Sequence, residues 1–427
     1  QTPASFGCAT RMTAVLDLHD TALKIWQGDN EIASPGYAWF DGSRLRFGLP
    51  ALRTQRRTPR EVNTRFWSQL GTAPLSPALG KARHTADLAH QHLQELYESA
   101  GRPDSVLLAV SGSLSRDQLS LLLGIIEHLP FSVAGLVHRS ALLASASHLE
   151  QGFHVELQLH QSLVTRFDSE GAQVVVSGSQ ALPGEGLLAL QDRLATVIAG
   201  AFVAQTRFDP LRSADTEQAL YDQLPDALTT LEQRGEAHVG INGYDARVTQ
   251  EDLASIGAAY TQALAPLLDA ESALLLEAPL DRLPGLATGR AQNSTDNSTL
   301  AATALQFMAQ LEQSADNLTL QRRVPRDPLT ASSHSDPGHQ SSAHAHHSDQ
   351  RPSHWLSAGV ARPLSTDALS NRGIALADKD QGLMLAGPVP HDLTVNGQPA
   401  AAEQVLRAGD VIADDLGFQA QLIVVEE

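Results

Sequence analysis

Residues 15–26 constrain the possible folds of this chain more than any other stretch. Val15-Leu16-Asp17-Leu18 reads as an apolar strand, His19-Asp20-Thr21 as a tight polar turn, and Leu23-Lys24-Ile25-Trp26 as a second strand. A turn of this kind can hold a phosphate on its backbone N–H groups. Strand and helix signals then alternate down the chain. Thr85 to Ser99 is an amphipathic helix with Leu88, Leu93, Leu96 and Tyr97 on or near one face, and 186–205 and 213–234 are helical too. His238-Val239-Gly240-Ile241 and Ala246-Arg247-Val248 form a hairpin around Asn242-Gly243, a dipeptide suited to the positive φ angles of a two-residue turn. Ser115 with Gln118, and Thr249 with Asp252, have the spacing of helix-starting caps. The alternation predicts an α/β protein, although a Rossmann-like sheet shares these signals.

The polar turns are more specific as a series than singly. Phe47-Gly48-Leu49-Pro50-Ala51 is followed by Thr58-Pro59 and by Phe66-Trp67-Ser68-Gln69-Leu70-Gly71. The apolar run from Leu107 to Val110 leads through Gly112 to Asp117-Gln118, and Val133 to Val137 leads into His138-Arg139-Ser140-Ala141. Glu156-Leu157-Gln158-Leu159-His160-Gln161-Ser162 lies between the apolar flanks Phe153 to Val155 and Leu163-Val164. Ala273 to Glu277 precedes Ala278-Pro279 and Arg282-Leu283-Pro284-Gly285. In this order, across residues 12–315, the chain resembles the ATPase domain of DnaK-type heat-shock chaperones, relatives of actin and the sugar kinases.

The resemblance implies a two-lobed, actin-like (ribonuclease H-like) α/β ATPase fold, with lobe I at 12–150, lobe II at 151–320 and a cleft for Mg-ATP between them. It implies Asp17, His19, Thr21, Glu156, His160 and Gly285 as nucleotide-side positions. The chain departs from the family pattern where the chemistry is done. His19 stands for a glycine of the first phosphate loop, Gln158 and His160 stand for glycines of the second, and Leu52 and Arg53 stand where the family has its phosphate-contacting lysine. Side chains at the glycine positions obstruct the approach of phosphate to backbone, and the lost lysine removes a counter-charge. His138 replaces the water-polarising glutamate, a change that for one acid–base group is worth ~10²–10⁴ in rate. His138 and Glu156 are thus degenerate catalytic positions, and the expectation is a pseudo-ATPase without a cofactor. Asp17 and Glu156 remain as carboxylates with which magnesium and ATP could still bind.

The same alignment turns His19, His138 and His160 toward one cleft beside Asp17 and Glu156. Three imidazoles and two carboxylates are a donor set for zinc or another transition metal. The alternative is that the rings hydrogen-bond and fill space vacated by nucleotide.

At 427 residues the chain can form a sizeable core and more than one domain. Its net charge of -18 argues against nonspecific nucleic-acid binding, which depends on neutralising phosphates. Arg53, Arg56, Arg57 and Arg60 form one basic cluster, read as a solvated face or as a dock for an acidic partner. No run of about 20 apolar residues stands out as a membrane span, so no membrane insertion and a cytoplasmic location are expected. The single cysteine, Cys8, excludes intramolecular disulfides and multi-thiolate zinc sites. Residues 1–11 read as a disordered extension. Residues 321–354, rich in Ser, His, Asp, Pro and Gln, read as a flexible linker.

From 355 to 427 the signals are short strands. Leu393-Thr394-Val395-Asn396-Gly397-Gln398 and Leu406-Arg407-Ala408-Gly409-Asp410-Val411-Ile412, ending in Gln421 to Val425, resemble the last strands of forkhead-associated domains. The family's Ser-x-x-His element is missing, and Arg362 and Arg372 are the only nearby phosphate-binding candidates. A degenerate β-sandwich used for protein contact is expected, with a small β-barrel as the alternative. The whole chain reads as a noncatalytic assembly, scaffold or regulatory protein that binds protein partners. A nucleotide-dependent, chaperone-like ATPase is the alternative.

Overall fold

The computed structural model describes residues 13–28, 30–147, 149–269, 272–295, 297–326, 352–357, 360–363, 375–379, 382–386, 393–395, 398–401, 404–407, 410–413 and 419–423. The chain divides into two compact units, 1–334 and 335–427. The extension expected at 1–11 and residues 327–351 of the expected linker lie outside the described residues.

The first half of the larger unit supplies β1 (Thr13–Leu18), β2 (Leu23–Gln27), β3 (Asn30–Ser34), β4 (Ala38–Phe40), β5 (Leu45–Phe47), α1 (Leu49–Leu52), β6 (Val62–Asn63), α2 (Thr85–Ser99), β7 (Ser105–Val110), α3 (Arg116–Ile126), β8 (Ser132–His138) and α4 (Arg139–Ala146). The second half supplies β9 (Gln151–Leu157), β10 (Gln161–Glu170), β11 (Gln173–Pro183), α5 (Leu187–Thr206), α6 (Ala214–Arg234), β12 (Glu236–Ile241), β13 (Tyr244–Thr249), α7 (Gln250–Leu264), β14 (Ala273–Glu277), β15 (Gln292–Thr295), α8 (Asn297–Gln306), α9 (Met308–Leu311) and β16 (Arg323–Pro325).

The chain is mixed α/β, and its two large sheets repeat one topology. The first has the order β3-β2-β1-β7-β8, with β2 antiparallel to β1 and β3, and β7 and β8 parallel to β1. The second has the order β15-β14-β9-β10-β11-β16, with β10 antiparallel to β9 and β11, and β14 and β15 parallel to β9. In each, a strand, a polar turn and an antiparallel strand open the sheet. Parallel strands need both faces covered, and β7 is accordingly buried along its whole length.

Helices α2 and α3 contribute Leu88, Leu93, Leu122 and Ile125 to a core on one face of the first sheet. Helices α5, α6 and α7 do the same for the second sheet through Leu194, Ile198, Leu224 and Ile256. A third core joins the remaining faces through α4 and α8. It gathers Val15, Leu107 and Val137 from one sheet, Phe167, Val176 and Leu275 from the other, and Leu142, Leu300 and Ala304 from the helices.

Local chemistry sets the element ends. Ser115 with Gln118 and Thr249 with Asp252 form complete capping boxes on α3 and α7. Asn242 and Gly243 take φ of 52° and 81°, the positive pair that turns β12 into β13.

Two expectations change. Helix α5 is 20 residues long with a mean hydropathy of 1.5, enough by length and composition to cross a membrane. Its face of Leu190, Leu194, Ile198 and Phe202 packs in the second core. Residues 321–326 belong to the fold and not to a linker. Gln321 bridges to Val137, and β16 pairs with β11 around the fully buried Val324.

In the smaller unit, β17 (His354–Ser357), β18 (Val360–Pro363), β19 (Ala375–Lys379), β20 (Gly382–Ala386), β21 (Thr394–Val395), β22 (Gln398–Pro399), β23 (Val411–Ala413) and β24 (Gln419–Ile423) form a sheet of order β18-β17-β24-β23-β21-β22 and a β19-β20 hairpin. Leu376, Leu385, Leu393, Leu406, Ile412 and Leu422 make its core. The Arg407 N–H donates to the Asp410 carboxylate at 2.7 Å, closing the turn before β23. Asn396-Gly397, Gly409 and Arg372 lie outside the described residues.

Candidate functional site

The polar ends of several strands meet at Arg139, the first residue of α4. Its guanidinium donates to both oxygens of Asp17 at the end of β1, Nε to Oδ1 and Nη2 to Oδ2, each at 3.0 Å. Its Nη1 and Nη2 also reach Glu277 at the end of β14, and Nη1 lies 3.3 Å from Glu156 Oε2 on β9. The Arg139 side chain has no solvent exposure, and neither do Asp17 and Glu156. Strand pairing makes the arginine necessary: Leu276 is in register with Val155, so the next residues, Glu277 and Glu156, lie side by side on neighbouring parallel strands. Two like charges so placed repel, and the guanidinium between them supplies the counter-charge.

The electrostatics follow from burial and pairing. Burial alone would push the Glu156 and Glu277 carboxyls up. The Arg139 guanidinium, aided by nearby histidines, outweighs burial and holds Glu156 below and Glu277 well below the usual range. Burial likewise opposes the charge on Arg139, but Asp17, Glu277 and Glu156 hold it well above its ordinary value. His154 Nε2 stands 2.6 Å from Glu277, and His19 Nε2 stands 3.6 Å from Glu156.

Ser140, His154 and Glu277 line up like a hydroxyl–imidazole–carboxylate relay, with Ser140 Oγ 2.9 Å from His154 Nδ1. Ser140 and His154 are fully buried, so no substrate carbonyl can approach the hydroxyl. The array is structural.

The expected site residues divide. Asp17, His19 and Glu156 do come together, around Arg139. Thr21 Oγ1 bonds His19 Nδ1 at 2.5 Å and fixes the ring within the first turn. His138 is buried, accepts the Ser140 N–H through Nδ1, and caps α4; burial pushes its imidazole down to about 4. His160 turns away to Thr64, its Nε2 lying 3.1 Å from the hydroxyl and 3.0 Å from the carbonyl oxygen. Among the described residues no group of three or more His, Cys, Asp or Glu side chains is arranged to hold a metal ion. The five-residue donor set expected from sequence is therefore not assembled: a guanidinium stands among the carboxylates, and each of the three rings has its own hydrogen-bond partner. Gly285 serves packing against α7, where a Cβ would lie 2.0 Å from the Ala254 carbonyl oxygen.

The second turn, between β9 and β10, bonds to its neighbours through Gln158 and Leu159. Gln158 Nε2 donates to Ser111 Oγ, Ser113 Oγ and Glu156 Oε1 at 2.7 to 2.9 Å, and its Oε1 accepts from Gln161. The Leu159 N–H donates to Asp20 Oδ1 at 2.9 Å, tying the two turns together. Leu159 itself packs with Tyr37 and Ala51.

Two arginines of the basic cluster close the same boundary. Arg56 pairs with Asp192 at 2.6 Å and stacks 3.6 Å from the Tyr221 ring centroid, while Arg57 pairs with Asp215 at 2.7 Å. The Arg56 N–H also donates to Gln218 Oε1, and Gln218 Nε2 returns a bond to the Leu52 carbonyl. Arg56 and Arg57 thus face acidic residues at α5 and α6 of this same chain.

Sequence reasoning missed Arg139, Glu277 and His154 as site residues. A signal existed for the first: an arginine between the apolar runs 133–137 and 141–144 must be buried, and a buried guanidinium must find carboxylates. His154 and Glu156 also alternate on one face of β9.

Asp20 carries a testable consequence. Burial, against weaker opposing effects of His19 and the Leu159 N–H, raises its carboxyl from 3.8 to about 6. A raised acid contributes stability that is complete below the unfolded value and lost as pH rises through the folded value. Asp20→Asn keeps the oxygen that accepts from Leu159 and removes the titration, so at pH 8 the variant should be more stable by about 1–3 kcal/mol. The gap should be roughly half as large at pH 5. Urea titrations at the two pH values read it directly; an equal gap at both would show that Asp20 is not a buried titrating group.

A scan against protein-family models returns no match, and neither does a search of curated proteins.

Proposed function

We propose that this chain is a degenerate relative of the DnaK/actin-like ATPases, in which the interlobe nucleotide site has become structural core, and that it acts as a noncatalytic assembly or regulatory protein. The repeated sheet topology, with α4 and α8 between the two sheets, supports the two-lobed reading. One observation carries the functional reading: Arg139 occupies the position among Asp17, Glu156 and Glu277 that a cation and phosphate oxygens would need. A positive charge already neutralises the carboxylates, so magnesium has neither vacant ligands nor room. The smaller, all-β unit fits a forkhead-associated-like contact module in this reading.

A nucleotide-dependent ATPase remains the second reading because of one cavity. A space of about 250 Å³ lies beside Ala278, Pro279 and Arg282 and is walled by Leu190, Leu224 and Leu228, on the side where the resemblance places adenosine. Thermal melts with Mg-ATP, Mg-ADP and adenosine separate the two. A ligand at a hundred times its Kd adds about 2.7 kcal/mol to stability. The expectation is no shift with either nucleotide at millimolar concentration. A magnesium-dependent shift with ATP that disappears in Asp17→Ala would overturn the proposal, whereas a shift with adenosine alone would leave the phosphate side closed.

A further inference from the structure

The basic cluster noted in the sequence is split by the fold. Arg56 and Arg57 are consumed by Asp192, Glu217 and Asp215. Arg60 and the nearby Arg65 are exposed, and among the described residues neither is in an ion pair. Both line a cleft of about 530 Å³ between β6 and the loop that runs from Gly71 to Leu79. None of the residues lining it is acidic, although the chain as a whole carries 48 Asp and Glu against 30 Lys and Arg. A cationic cleft on a strongly acidic protein selects an anionic ligand by complementarity.

Two further features define the kind of ligand. Val62 and Asn63, which line the cleft, are β6, and β6 is the edge strand of the small sheet β5-β4-β6, paired only with β4. An unpaired strand edge accepts an extended segment through main-chain hydrogen bonds, with side-chain pockets giving specificity. Val62, Leu75 and Leu79 add apolar surface to a lining whose larger share is polar. The volume lies in the range of ligand sites and well above what a single phosphate fills.

We propose that this cleft docks an extended acidic segment of a protein partner, its main chain along β6, its carboxylates on Arg60 and Arg65, and alternate apolar side chains on Leu75 and Leu79. The proposal deepens the interaction reading and rests on it for a protein as ligand. The nucleotide melts test the filled site and the experiment below tests the cleft, so the two can fail separately.

The probe is a fluorescein-labelled, capped peptide alternating Glu and Val, with a Lys and Val peptide as control, read by anisotropy on the full chain. The acidic peptide should bind and the basic one should not, and added salt should weaken binding. Arg60→Glu and Arg65→Glu should each weaken it about tenfold or more, which is about 1.4 kcal/mol. Both side chains are exposed, so the variants should melt with the wild type. No binding of the acidic peptide, equal binding of the basic one, or unchanged affinity in the double charge reversal overturns the proposal. Complete displacement by inorganic phosphate would also overturn it, by showing a small-anion site.

Discussion

Replacing Arg139 with methionine should remove most of the stability of the larger unit. The substitution keeps much of the side-chain volume and deletes the only guanidinium between Asp17, Glu156 and Glu277, whose side chains are at most 7% exposed. Breaking a buried ion pair from one side typically costs 3–5 kcal/mol, because a charge is left without a partner. Here three carboxylates lose their guanidinium, and although Glu277 keeps His154 and Glu156 keeps Gln158, the loss should reach about 5 kcal/mol, against a total of roughly 5–15 for a typical domain.

The pH dependence distinguishes this from simple loss of packing. In the wild type, Glu156 and Glu277 sit below their ordinary values, so their contribution is present above about pH 4.5 and is lost as pH falls through the folded values. In Arg139→Met, only His19 and His154 still oppose burial, which raises the carboxyls. Stability should then increase as pH falls from 8 to 5 more steeply than in the wild type, where these two glutamates add no dependence over that range and only the Asp20 gain remains. Combining Arg139→Met with Glu156→Gln and Glu277→Gln should recover part of the loss at pH 8. Urea midpoints across this range check both statements. A loss under about 1 kcal/mol with no change of slope would mean that water reaches these carboxylates and that the cleft is open.

Elements whose causes are local were legible in the sequence. The Thr249 and Asp252 cap, the Asn242-Gly243 turn and the helix from Thr85 to Ser99 each follow from interactions within a few residues, and each stands where the pattern placed it. The convergence of Asp17 and Glu156 was legible only through the order of the polar turns.

The Arg139 network was not, because most of its bonds span long separations. Arg139 meets partners 122 and 138 residues away, and no window of sequence contains both ends. His138 and His160 show the opposite failure. They were assigned to a shared site, yet an imidazole takes whatever partner is near: His138 the N–H two residues on, His160 the Thr64 hydroxyl and carbonyl. The partners of Arg56 and Arg57 were hidden for the same reason as those of Arg139, since the acids on α6 that pair with them lie about 160 residues later, while Arg53 and Arg60 of the same cluster stay exposed.

Gly285→Ala should cost roughly 3 kcal/mol, and the comparison with Gly184→Ala shows why. Both glycines have positive φ, 79° and 81°. An alanine in that conformation costs about 1–2 kcal/mol on backbone grounds alone. At Gly184 a Cβ would meet nothing within 4 Å, so the backbone cost is all that should appear. At Gly285 the Cβ would fall 2.0 Å from the Ala254 carbonyl oxygen and 2.7 Å from its Cα, both backbone atoms of α7 that no rotamer change can move. At Gly257, one turn further along α7, an added Cβ would likewise lie 2.3 Å from the Pro284 carbonyl oxygen, so the helix and the turn approach through two glycines. Sliding α7 aside would disturb Leu253, Ile256 and Tyr260, which are buried in the second core. Overpacking of this kind adds about 1–3 kcal/mol to the backbone cost. The difference between the two variants in urea midpoint therefore measures the helix–turn contact itself. Equal losses would mean that α7 yields freely, and the close approach would then cease to explain the glycine at 285. A larger loss at Gly285, unchanged by added Mg-ATP, would assign that glycine to packing even though the resemblance places it beside a nucleotide.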